Sequence, residues 1–113
     1  MDFKWLDGIE AAVTVCDCEG VIVYMNARSA EAFKDEGGMD LIGKSLFECH
    51  QESSNSRIQE MLKDGTTNVY TVEKNGIKKF VWQAPWREEG VCKGLVEVIL
   101  PTPPEIRHIV RGN

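Results

Sequence analysis

The sequence has no apolar run near the roughly 18 residues that a membrane-spanning helix needs, so no membrane span is expected. Its opening, Met1-Asp2-Phe3-Lys4-Trp5-Leu6-Asp7, lacks the basic-then-apolar order of a secretory signal. Cytoplasm is then the default expectation. Positive charge is in deficit, with 13 Lys and Arg against 18 Asp and Glu, a formal net charge of −5. That balance repels phosphate backbones and argues against a nucleic-acid partner. Cysteine is sparse: Cys16, Cys18, Cys49 and Cys92. Without a leader they are expected as thiols. Neither the cysteines nor His108 has a recognisable zinc spacing. The chain also has no G-x-S-x-G elbow, no phosphate-cradling loop and no nucleophile–base spacing, and it is not expected to be an enzyme.

What is present fits one α+β domain. The length of 113 residues suits a single core, and 42% hydrophobic with 27% charged residues argues against disorder. Phe3, Leu6 and Ile9 recur at spacing three, predicting a short helix or turn over 3–10. Residues 11–16 and 21–25 read as strands joined by the turn Asp17-Cys18-Glu19-Gly20, a hairpin apolar enough to be covered on both faces. Asn26 then caps a helix over 27–34, since its side-chain oxygen can accept from an orphan amide of the first turn. Gly37-Gly38 stops it, and 40–43 allows one further turn.

A third helix is predicted from about Ser54 to Asp64. It carries the stripe Ile58, Met61 and Leu62, capping-box spacing at Ser56 and Gln59, and Gly65 beyond its end. The rest is β. A strand runs over 67–74, Asn75-Gly76 gives a tight hairpin turn, and Phe80, Val81 and Trp82 lie in the partner strand. Pro85 demotes that strand's far end to an edge or bulge, and a last strand over 95–100 ends at Pro101. The domain is expected over 11–101, with a cap segment at 1–10 and a tail at 102–113.

The run Asp17-Cys18-Glu19-Gly20-Val21-Ile22-Val23-Tyr24-Met25-Asn26 resembles the D-x-x-G-x-I-x-x-x-N opening of PAS sensor domains. Asp40-Leu41-Ile42-Gly43-Lys44-Ser45-Leu46 is similar to that family's E-L-I-G-K-S-L, and Gly94-Leu95-Val96-Glu97-Val98 to its last strand. Asp17, Gly20, Asn26 and Gly43 are thus the structural motif. The resemblance implies a five-stranded antiparallel sheet with short helices packed on one face and a small-molecule pocket between them. It also implies signal transduction, commonly as a homodimer, with a signalling partner that the sequence does not name. The tail, continuing as Glu105-Ile106-Arg107-His108-Ile109-Val110, favours a stand-alone protein over an excised piece.

The expected pocket walls are Phe33, Leu41, Ile42, Leu46, Cys49, His50, Ile58, Met61 and Leu62 from the helices, with Tyr70, Phe80 and Trp82 from the sheet. No cofactor is assigned. Haem-binding relatives place an axial histidine further along the third helix, where this chain has 54–56, without one. Flavin-adduct relatives carry a reactive cysteine where this chain has Leu46. Two alternatives stand beside the sensor. Cys49 and His50 could make a thiol-redox or metal site, including haem, because thiolate and imidazole suit transition metals. Alternatively, the exposed sheet face and the Phe3-Trp5-Leu6 segment could serve a ligand-free interaction module. Cys16 and Cys18, two residues apart, read as ordinary thiols before a redox pair.

Overall fold

The Asp17 turn closes the first hairpin by local chemistry. In the computed structural model, which describes residues 3–49 and 52–112, the Asp17 Oδ1 accepts from the amides of Glu19 at 2.9 Å and Val21 at 3.0 Å. Gly20 takes the positive φ of 82° that ends the turn. A side chain there is excluded twice over, since its Cβ would also lie 2.6 Å from the Phe47 ring. The turn joins β1 (Ala12–Asp17) to β2 (Ile22–Met25).

Asn26 leads into α1 (Ala27–Ala32), followed by 3-10 turns over Lys34–Glu36 and Gly38–Leu41. A short α2 (Leu46–Cys49), not anticipated from the sequence, precedes α3 (Glu52–Asp64). Ser56 therefore sits inside α3, so the Ser56–Gln59 spacing is not a capping box. The predicted stop does hold: Gly65 has φ 67° and its amide donates to the Met61 carbonyl at 2.8 Å. The strands β3 (Asn68–Lys74), β4 (Ile77–Glu88) and β5 (Val91–Pro101) complete an antiparallel sheet of order β2-β1-β5-β4-β3.

Pro85 sits on β4 beyond Gln83, the last β4 residue paired with β3, so β5 is its one neighbouring strand. A missing amide is tolerated there, and the register shift between Trp86 and Arg87 follows directly. Helices cover one face of the sheet. β1 accordingly alternates buried Ala12, Thr14 and Cys16 with half-buried Val13, Val15 and Asp17, which corrects the expectation that its hairpin is covered on both faces.

The buried core lies under α3 and the Gly38–Leu41 turn. One cluster joins Cys16, Ile58, Met61 and Leu95, and a second joins Ile22, Met25 and Leu41. Leu46 packs against both, so the start of α2 bridges the two halves.

Candidate functional site

Asn26 fixes the end of the site where β2 turns away from the sheet. Its carboxamide is fully buried and makes four hydrogen bonds. Oδ1 accepts from the amides of Ser29 at 3.0 Å and Val13 at 2.9 Å, so it caps α1 and binds β1 together. Nδ2 donates to the carbonyls of Leu6 at 2.7 Å and Ala11 at 2.8 Å, tying down the N-terminal segment. Asp7 adds a second tie, its Oδ1 accepting from the Ala27 amide at 2.8 Å. Beneath the cap, the hydroxyls of Thr14 and Ser29 bond to each other.

Gly43 sets the other rim. With φ 93° it turns the chain so that its amide donates to the Ile22 carbonyl at 2.8 Å, and the Leu46 amide donates to the Gly20 carbonyl at 2.8 Å. A bridge between Val21 and Ser45 completes the attachment. The four motif residues thus hold the loop and both ends of the hairpin in register.

Between these rims, helices and sheet enclose a cavity of about 250 Å³. The helical side contributes Phe33, Leu41, Leu46, Ile58 and Met61, and the sheet contributes Thr14, Cys16, Ile22, Met25, Gln83, Leu95 and Glu97, with Glu36 at the margin. The lining is mostly apolar with a few polar groups, the usual make-up of a small-molecule site, though its volume is just below the common range.

The expected site residues divide. Phe33, Leu41, Leu46, Ile58 and Met61 come together on the cavity. Ile42 does not; it is 42% exposed. Leu62 packs on the Cys16–Met61 cluster and lines an outer groove beside Cys18 and Phe47. Phe80 and Trp82 are corrected more sharply. Trp82 pairs with Val69 and Val98, and Phe80 with Thr71 and Leu100, on the face away from the helices. Gln83, on the other face of β4, lines the cavity; the expected Tyr70 does not, its Oη lying 3.5 Å from Gln83 Nε2. The side chain of Cys49, and His50 altogether, fall outside the described residues. Among the described residues, no three His, Cys, Asp or Glu are grouped to hold a metal ion.

Strand alternation could have revealed the residues that were missed. Thr14 and Cys16 alternate with the valines of β1, and Glu97 is a lone carboxylate in the apolar run Leu95-Val96-Glu97-Val98-Ile99. A charge in such a strand either faces water or faces something that needs it. Here Glu97 is half-buried and accepts from Gln83 at 2.7 Å. Burial, then the Glu97 charge, raises the pKa of Tyr70. Cys16 is 2% exposed, and burial pushes its thiol from 9.0 up to about 11. A thiol so protonated at neutral pH is a packing group and a poor nucleophile. Cys18 is exposed, and both thiols are free.

Solved structures of low sequence identity share this architecture. A C-terminal domain from Streptococcus mutans is 18% identical with a TM-score of 0.71, covering 86% of this chain and 79% of its own. The PAS domain of BvgS from Bordetella pertussis is 18% identical with a TM-score of 0.62, over 88% and 82%. The Aer2 receptor of Vibrio cholerae, a dual PAS-heme oxygen sensor, is 14% identical with a TM-score of 0.60, over 82% and 95%. No curated protein matches the sequence. A family model described as the PAS fold matches residues 6–66, more than half the chain, and this protein belongs to the PAS-fold family.

Proposed function

We propose that this chain is a signal-sensing PAS domain that binds a small organic molecule between its helices and its sheet. The observation that carries the reading is the apolar cavity of about 250 Å³, walled by five helix-side residues of the expected set. An engineered cavity of about 150 Å³ holds benzene, so there is room for a one-ring or short-chain molecule. Neither haem nor flavin is assigned, because the motifs for both are absent. The reading is of a binding module, not an enzyme. Among the described residues no helix is long and apolar enough to cross a membrane, and a cytoplasmic location is part of the proposal.

Native mass and absorbance of freshly purified protein, followed by NMR titration with small organic fragments, test the reading. Either a retained molecule or saturable shifts at Leu41, Met61 and Leu95 is expected. If nothing is retained and no fragment shifts those residues saturably, the reading is wrong.

A second reading, homodimerisation through the outer sheet face, is favoured by its composition. The row Val69–Trp82–Val98–Val13 crosses four strands, and Ala84–Val96–Val15–Tyr24 runs beside it. Trp82 is 40% exposed, and Phe3 and Trp5 stand open on the N-terminal segment. A dimer would present the signal to a partner as a change in association or shape.

A further inference from the structure

We propose that the cavity selects a small amine: a compact apolar body carrying one ammonium head. This rests on the cavity being a ligand site and adds the class of ligand. The reason is the direction of the hydrogen-bond chain along one wall. Arg57 Nη2 donates to Asn68 Oδ1 at 3.3 Å, Asn68 Nδ2 donates to Gln83 Oε1 at 3.0 Å, and Gln83 Nε2 donates to Glu97 Oε2 at 2.7 Å.

The two ends dictate this order. A guanidinium only donates and an ionised carboxylate only accepts, so both amide orientations between them are forced. Gln83 uses its amide on Glu97, with Tyr70 Oη at 3.5 Å, and its carbonyl on Asn68. It has no strong donor left to offer a ligand. The relay ends on Glu97, whose second oxygen, Oε1, has no protein partner among the described residues.

The polar end of the cavity therefore presents acceptor lone pairs and negative charge. Glu36 adds a second carboxylate at the margin, and none of the described lining residues is Lys, Arg or His. The positive end of the relay is held away, with Arg57 on Asn68 and 3.7 Å from Glu60. A ligand carboxylate would meet the repulsion of Glu97 and no cationic donor among the described lining residues. A neutral alcohol could donate once. An ammonium supplies both donors and charge, and charge-assisted hydrogen bonds are about twice as strong as neutral ones. Leu41, Leu95 and Met61 would take the apolar body.

Three one-ring probes of similar size separate these cases: benzylamine, benzyl alcohol and benzoate, titrated by NMR in about 0.15 M salt so that long-range attraction is screened. Benzylamine should bind roughly tenfold more tightly than benzyl alcohol, with saturable shifts at Leu41 and Leu95, and benzoate should give none. Glu97→Gln, which keeps the shape and can still accept from Gln83, should bring benzylamine down to the alcohol. If the alcohol binds as well as the amine, or Glu97→Gln keeps the amine preference, the amine inference fails while the cavity stands as a ligand site. If none of the three gives saturable shifts at the lining, the amine inference fails, and the ligand reading fails with it where the purified protein also retains nothing and no other fragment shifts those residues.

Discussion

The Asn26 carboxamide uses every hydrogen-bonding position it has, on four backbone groups from three separate segments. Removing it strands the Val13 and Ser29 amides and two carbonyls where rehydration is poor. Each such loss costs about 1–3 kcal/mol. Asn26→Ala should therefore destabilise the domain by about 3–4 kcal/mol in urea denaturation, well beyond the roughly 1 kcal/mol of an ordinary N-cap. A loss near 1 kcal/mol would mean that the ties to Leu6 and Ala11 contribute nothing. The sequence disclosed the cap, because capping is local. It did not disclose the other three bonds, which need segments that only folding brings together. Cys16 gives a second test at this scale. Its thiol pKa rises from 9.0 to about 11 on folding, so below pH 9 both states hold the proton and stability is unaffected. Between pH 9 and 11 the unfolded chain ionises first, and stability falls as pH rises. Cys16→Ala should flatten this fall in denaturation measured from pH 8 to 10.5. A residual slope at the upper end is expected from Tyr24 and Tyr70, whose pKa values are also raised.

Among the elements, β5 depends on a residue with no side chain. Gly94 has φ 153°, and a Cβ there would run into the Cys16 carbonyl oxygen and come within 2.7 Å of Trp86 Nε1. The close approach lets the indole donate to that carbonyl at 3.0 Å, locking β4 onto β1 across β5. Gly94→Ala combines backbone strain with overpacking and should cost roughly 3 kcal/mol or more, measured by chemical denaturation. Strand identities and turns were legible because Asn75-Gly76, Asp17 and Gly20 act locally. The faces were less so. Period-two alternation shows that Phe80 and Trp82 share a face but not which one, since both faces of β4 carry apolar groups. Register settles it: Tyr70 opposes Val81 and Asn68 opposes Gln83, placing the polar pair inward and the aromatics outward. On the helical side the Ile58 and Met61 stripe was legible from spacing. The extra helix α2 was not, because four residues carry too little periodicity to be read.

For the whole molecule, the sheet is apolar on both faces and the helices cover only one. A monomer this small has few ways to hide the other. Trp82 and Leu100 are each 40% exposed and Val69 is 50% exposed, with the half-buried Val13, Val96 and Val98 on the same face. An exposed apolar patch of this extent usually marks an interaction surface. Two copies meeting on it would bury Trp82 at the centre, where aromatic anchors contribute most. Trp82→Glu would place two unpaired carboxylates, one from each copy, in a desolvated patch of the dimer. In the monomer the same charge stays in water and costs little. Trp82→Glu should thus shift sedimentation from dimer toward monomer, raising the dimer dissociation constant by about a hundredfold or more, while unfolding midpoints measured at high dilution change little. Deleting residues 1–8 is a poorer probe of the same surface. It also removes the Leu6 carbonyl and the Asp7 carboxylate that hold Asn26 and α1, so lost association would be mixed with lost folding. Wild-type protein that sediments as a monomer at every concentration would reject the sheet face as a self-association surface.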